Sequence, residues 1–283
     1  MDRSRPLTRT VFYVVLVIFA IIYLYPFVIQ VATSFKSDPQ ANANPLSIIP
    51  NPVELNAWKR IFGLTPDSPV PILHWAFNSA LVTVLVTAGR VFFDSLAGYA
   101  LSRLRFRGRG FLFTAVLAVM SVPGVALLIP KFLVTKYFGI YDTYYAMVLP
   151  LIVDAAGVFI MKQFFDTVPV TIEEAARLDG ASIFQTFWHV VLPMARPALI
   201  TLTILSFQGS WNEFSHFLVT TQSPQYQTLI TGLASLSRGT LGSGTQYPLK
   251  MATALLTTIP VAILFFVFQR HLVRGANEGA VKG

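Results

Sequence analysis

The sequence predicts an all-α, polytopic membrane protein with six transmembrane helices. Three observations carry that prediction: too few charges to wet a globular surface, six apolar runs long enough to cross a bilayer, and basic residues gathered on one side of those runs. Of 283 residues 54% are apolar and 12% charged, with 24 Phe, and the mean hydropathy is +0.61. Soluble domains carry about 25% charged residues, so much of this surface faces lipid. A net charge of +8 can point to nucleic acid. Here the Lys and Arg sit in short clusters between apolar runs, which is a membrane-protein pattern, and no nucleic-acid partner is expected. The absence of cysteine excludes disulfides, thiolate metal sites and Cys nucleophiles. His74, His189, His216 and His271 are scattered, without metal-ligand spacing.

A bilayer core needs roughly 20 apolar residues in helical form, because unpaired backbone groups are too costly in lipid. Segments 11–33, 76–101, 111–134, 141–164, 198–220 and 250–270 meet this requirement. The first follows Arg3, Arg5 and Arg9 like a signal peptide, but its run exceeds a signal's apolar core and no small-residue cleavage site follows, so it reads as a retained helix. The second is the least hydrophobic, holding Asn78, Arg90 and Asp94. Prolines fall in the third (Pro123, Pro130), fourth (Pro150) and sixth (Pro260), and ordinary kinks account for them. The expected organisation is a cytoplasmic N-terminus over 1–10, a transmembrane domain over 11–270 and a cytoplasmic tail over 271–283.

Placing the N-terminus in the cytoplasm puts thirteen basic residues on that side and seven on the other, with Arg90 inside the membrane. The sharpest element is Arg103, Arg105, Arg107 and Arg109, four arginines in seven residues. Both termini are then cytoplasmic, at a bacterial plasma membrane. Residues 36–74, Pro- and Asn-rich with an amphipathic stretch around Trp58–Phe62, fall outside. Residues 165–197 fall inside.

That inner loop is the most informative part of the chain. Thr171 and Glu174 have capping-box spacing, and Glu173 and Glu174 suit the positive end of a helix dipole. Ala175 and Ala176 favour helix, and Gly180 offers the left-handed conformation that ends one. A second helix starts at Ser182, with Gln185 repeating the box. It places Ile183, Phe184, Phe187 and Val191 on one face and stops at Leu192-Pro193. The first helix is acidic and small-faced, suited to a groove in another protein. An amphipathic hairpin on the headgroups is the competing reading, and its usual Lys/Arg-rich face is missing.

The run Glu174-Ala175-Ala176, Asp179-Gly180, Leu192-Pro193 resembles the EAA loop of ABC importer permeases. Ser34-Phe35-Lys36, Ser95-Leu96-Ala97-Gly98-Tyr99-Ala100, Gly209-Ser210-Trp211-Asn212 and Gly279-Ala280-Val281-Lys282-Gly283 are similar to carbohydrate-importer permeases, more narrowly the MalG-type half of such pairs. The resemblance implies a type I ABC importer permease fold and an ATPase-coupling set of Glu173, Glu174, Ala175, Ala176, Asp179, Gly180, Leu192 and Pro193. It implies as partners a second permease subunit, two ATP-binding subunits, an extracytoplasmic solute-binding protein, a sugar and membrane lipid. The chain has no Gly-x-x-x-x-Gly-Lys-Ser/Thr loop. It is therefore expected to bind no cofactor and to be no enzyme, with ATP and Mg²⁺ held by the partner ATPase.

Polar groups at membrane depth are functional candidates. Arg90 and Asp94, four apart, can pair on one face; they are expected either to pair structurally, with each other or with the partner permease, or to line the path. Asn78 and Asp154 carry the same two alternatives. Trp211, Asn212 and Glu213 in the fifth helix are the candidates for sugar contact, combining an aromatic face with hydrogen-bonding groups. Glu213 and His216 form half of a di-iron signature, but the chain has no second Glu-x-x-His, so a metal site is not expected. A secondary transporter remains the alternative, although no internal repeat supports it. A membrane enzyme would need convergent catalytic groups, and no metal cluster or nucleophile–base set is found.

Overall fold

A computed structural model describes residues 6–65, 70–237 and 246–280, and every regular element among them is helical. Arg3, Arg5, Arg238 and Val281–Gly283, which the sequence reading used, lie outside the described residues. The chain divides into two compact units, one formed by Met1–Ile72 with Gly232–Ile259 and the other by Leu73–Thr231 with Pro260–Gly283. Among the described residues four helices are long and apolar enough to cross a membrane, or up to six if each of two sharply bent pairs counts as one span.

In the first unit α1 (Pro6–Ser34) is a 29-residue helix, about 43 Å long at 1.5 Å per residue. Val11 to Val28 are exposed around its circumference, as expected of a helix solvated by lipid. Beyond it, Ser37 caps α2 (Asp38–Ala43), its hydroxyl accepting the Gln40 N–H at 3.3 Å. The ammonium of Lys36 is buried and donates to the carbonyls of Asn44 (3.0 Å) and Pro45 (3.4 Å). The amphipathic stretch is α3 (Asn56–Ile61), with Ala57 and Ile61 inward and Trp58 stacked on Phe35 and Phe62.

In the second unit α4 (Ile72–Arg103) is a helix of 32 residues. The expected third span is broken: α5 (Arg109–Met120) ends three residues before Pro123, and a 3₁₀ turn then leads into α6 (Leu128–Tyr137) at a 104° bend. Pro123 has no N–H to give and disfavours helix in the residue before it, so the chain turns instead of kinking. The fourth is also interrupted. α7 (Tyr144–Val148) and a turn over Leu149–Leu151 precede extended backbone at Asp154, whose carboxylate caps α8 (Ala155–Thr167). α4 and α8 approach most closely at glycines. A Cβ on Gly98 would lie 2.7 Å from the Met161 Cβ and 2.8 Å from the Lys162 backbone N, the small-residue contact that membrane helices use.

The loop over 165–197 holds α9 (Val170–Leu178), α10 (Ile183–Gln185), a π-helical turn over Thr186–Val191 and α11 (Leu192–Met194). The expected fifth span stops early: α12 (Arg196–Trp211) is separated by Asn212 to Phe214 from α13 (Ser215–Thr220). α14 (Leu229–Ser237), which the sequence reading did not anticipate, follows. α15 (Tyr247–Ala280) continues through the expected boundary at 270. Two apolar cores order the second unit: Val82, Val86, Met147, Leu151 and Phe217 in one, and Tyr99, Met161, Phe165, Phe187, Val191, Ala195, Ala198 and Leu202 in the other.

Candidate functional site

The second of those cores supports the hairpin of the 165–197 loop. Pro169 forces Val168 into extended backbone (φ −71°, ψ 129°), which ends α8 and lets α9 begin with Pro169 as its cap residue. The expected Thr171 cap is therefore corrected. Thr171 lies inside the first turn, and no side chain caps that end.

α9 presents a buried carboxylate inward. Glu173 is 1% exposed. The Tyr99 hydroxyl donates to its Oε2 at 3.1 Å, and Arg103 Nε lies 2.9 Å from Oε1, a charge contact and not a well-aligned hydrogen bond. Arg177, one turn along and half exposed, reaches Oε2 at 3.6 Å. The same Arg103 guanidinium donates to the carbonyls of Phe165, which also accepts the Val168 N–H at 3.2 Å, and of Val168, just past the end of α8. Glu173 thus belongs to the inner framework, while Glu174, Ala175, Asp179 and Gly180 are exposed, Ala176 is half-buried, and Leu178 is the most exposed at 89%.

The end of α9 is a Schellman motif: Ala181 N–H donates to Ala176 O and Gly180 N–H to Arg177 O, both at 3.0 Å. Gly180 adopts φ +86°, the left-handed conformation expected of it. Ser182 and Gln185 form the expected reciprocal capping box. The second helix does not stop at Leu192-Pro193. Leu192 N–H instead donates to Phe187 O across a π turn, and the helix reaches Met194. Its expected single apolar face is split as well. Phe187 and Val191 are buried in the core, while Ile183 and Phe184 are exposed, with Phe184 stacked on the half-exposed Trp188. One helix end therefore offers acidic and apolar groups side by side. A cleft of ≈ 850 Å³ is lined by Arg103, Arg105 and Arg109 together with Glu173, Glu174 and Arg177, so the arginine loop and α9 lie side by side.

The intramembrane groups are arranged differently from the expectation. Arg90 and Asp94 form no ion pair; the ion pairs among the described residues are Arg103–Glu173, Arg177–Glu173 and Lys162–Asp166. Arg90 Nε donates instead to Leu151 O (2.7 Å), and Asp94 Oδ1 accepts the Asp154 N–H (3.0 Å). The break before α8 leaves these backbone groups without helical partners, and unpaired backbone at membrane depth costs more than one i,i+4 pair returns. The Asp154 carboxylate accepts the Gly157 N–H at 3.2 Å. Asn78 is fully occupied: its amide donates to the carbonyls of Gln225 and Gln227, and its oxygen accepts from Tyr144.

Trp211 is buried and stacked on Phe207, while Asn212 is exposed. Asn212 and Glu213 lie beyond the fifth helix and not within it. Glu213 Oε1 accepts the His216 N–H (2.8 Å), and the His216 ring meets Ala146 O (3.0 Å). Glu-x-x-His is here a helix cap and a strut. No group of three or more metal-ligating side chains occurs among the described residues.

Sequence reasoning missed Tyr99 and Arg103 as partners of Glu173. Their i,i+4 spacing at the end of α4 was the available signal.

Residues 94–278 match the family described as binding-protein-dependent transport system inner membrane component. The chain is 33% identical, over 99% of both chains, to the inner membrane ABC transporter permease protein YcjP of Escherichia coli (strain K12). It is 32% identical, over 93% of both, to the arabinooligosaccharides transport system permease protein AraQ of Halalkalibacterium halodurans. Among solved structures, a chain of a bacterial ABC transporter involved in the import of the acidic polysaccharide alginate superposes with a TM-score of 0.81 at 26% identity, covering 95% of this chain and 98% of that one.

Proposed function

The chain belongs to the family of binding-protein-dependent transport system inner membrane components, and from that premise we propose that it is the permease subunit of an ATP-driven importer whose cargo is a sugar. Membership makes it a multi-pass membrane transport subunit and not an enzyme. The observation that carries the finer reading is the outer face of α9: exposed Glu174, Leu178 and Asp179 beside the exposed Ile183 and Phe184. Acidic and apolar groups presented together on a short, rigid helix suit a groove in a protein better than an anionic headgroup surface.

Glu174, Ala175, Ala176, Asp179 and Gly180 dock on an ATP-binding subunit. Leu192 and Pro193 lie just before the 82° bend into α12 and hand the movement on. Two such ATPases hold ATP and Mg²⁺, a second permease completes the path, and an external solute-binding protein delivers cargo. Both termini lie in the cytoplasm. The relatives named for arabinooligosaccharides and alginate support a carbohydrate cargo. In the path, the exposed Asn212 with Trp211 behind it is the contact proposed for sugar, while Asn78, Asp154 and Glu213 hold the surrounding backbone in shape. Ion-coupled transport is the weaker reading, because Asp94 and Asp154 both bind backbone N–H groups.

Gly180→Phe tests docking. Phenylalanine strains the left-handed φ and adds bulk to the exposed face, whereas nothing in this chain lies within 4 Å of the added Cβ. The variant inserts at normal levels, but co-purification of the ATP-binding subunit falls about tenfold, equivalent to roughly 1.4 kcal/mol. Undiminished co-purification at equal expression refutes docking through this helix.

A further inference from the structure

The best-buried charge of the hairpin is not on the face offered to a partner. Glu173 engages Tyr99 and Arg103, which stand one turn apart at the end of α4. Arg103 also holds the carbonyls at the end of α8. Phe165, Phe187 and Val191 surround Tyr99 with apolar side chains. A helix needed only as a docking knob could rest on apolar residues alone, with no cost for burying charge. Apolar contacts tolerate sliding, whereas a buried ion pair backed by a hydrogen bond depends steeply on distance and direction, and breaking it strands a charge. The network therefore makes α9 and the end of α4 move together.

We infer that Glu173, Tyr99 and Arg103 form the strut through which displacement of α9 is passed to α4. The inference rests on α9 being the ATPase-docking helix. Glu173 acts here as a positioning residue, touching neither nucleotide nor cargo, while Glu174 keeps the outer face. The two adjacent glutamates have divided the work: one contacts the partner, and the other turns that contact into movement of a membrane helix.

The test uses the assembled complex in nanodiscs, with ATP–Mg²⁺ and orthovanadate as the probe, so no cargo need be known. This chain has no cysteine. Spin labels are therefore placed at Ala88→Cys on α4 and Val267→Cys on α15, both exposed positions. In the complex without strut substitutions, ATP–vanadate shifts the distribution of label distances. The double variant Arg103→Met/Glu173→Met removes the polar link while leaving apolar volume and no stranded charge. It retains its ATPase and hydrolyses ATP, but the population that shifts falls about fivefold. Tyr99→Phe, which removes one hydroxyl, produces a smaller loss in the same direction. A merely structural role would lower the yield of complex and leave the response per complex unchanged, and that result overturns the inference. Should the double variant fail to assemble, Tyr99→Phe decides by the same measure. Loss of the ATPase or of any label shift in the complex without strut substitutions refutes the docking of α9 itself, and the strut falls with it.

Discussion

Asp142, just before the candidate span Tyr144–Thr167, shows how one side chain can hold a loop. It adopts a left-handed φ of 57°, and its carboxylate accepts from the Gln222 N–H (2.8 Å), the Ser223 N–H (2.9 Å) and the Ser223 hydroxyl. Burial alone would raise its pKa, but these donors and nearby Lys136 outweigh that and hold it below the ordinary carboxylate value. A depressed folded value stabilises above the unfolded pKa of about 3.9, and the contribution disappears as pH falls through the folded value. Asp142→Asn tolerates the same φ without the charge. Its unfolding midpoint in detergent should therefore lie below the parent's near neutral pH, with the gap closing below about pH 4. At this scale the sequence was a partial guide. The Ser182–Gln185 box and Gly180 follow from local spacing and were legible, because a cap is satisfied within a few residues. The partners of Arg90, Asp94 and Asn78, and Tyr99 and Arg103 as partners of Glu173, were not, because each lies dozens of positions away in the chain.

Elements obey a different limit. Apolar length marks a span, but it does not show whether the span is straight, so 111–134 and 198–220 read as single helices that the structure breaks. Pro123 was visible as a possible kink. Pro150 likewise marked a possible kink in the fourth span, but not the extended backbone that follows it at Asp154. That break is held open by Arg90 and Asp94 from α4. Close packing of α4 on α8 leads to a prediction at this scale. Gly98→Leu must displace the backbone at Lys162, 2.8 Å from the new Cβ, and should cost about 1–3 kcal/mol, read as a lower unfolding midpoint. Gly110→Leu, with nothing within 4 Å, stays within about 0.5 kcal/mol and serves as the control.

For the whole molecule the orientation can be tested directly. Gly110→Cys puts a lone thiol beside the arginine loop of a chain that has none. A membrane-impermeant maleimide should leave it unlabelled in intact cells and label it in inverted vesicles; labelling in intact cells reverses the topology. Composition, apolar run length and the arginine cluster were enough to determine a multi-pass helical membrane protein and the side proposed for its hairpin. These are sums over many residues, and lipid solvation reads sums. Tertiary structure alone decided which of two adjacent glutamates faces outward, how three expected spans break, and that Arg90 and Asp94 satisfy exposed backbone instead of each other. Those outcomes depend on which distant groups are left unpaired at membrane depth or in a core, a cost that no local pattern records.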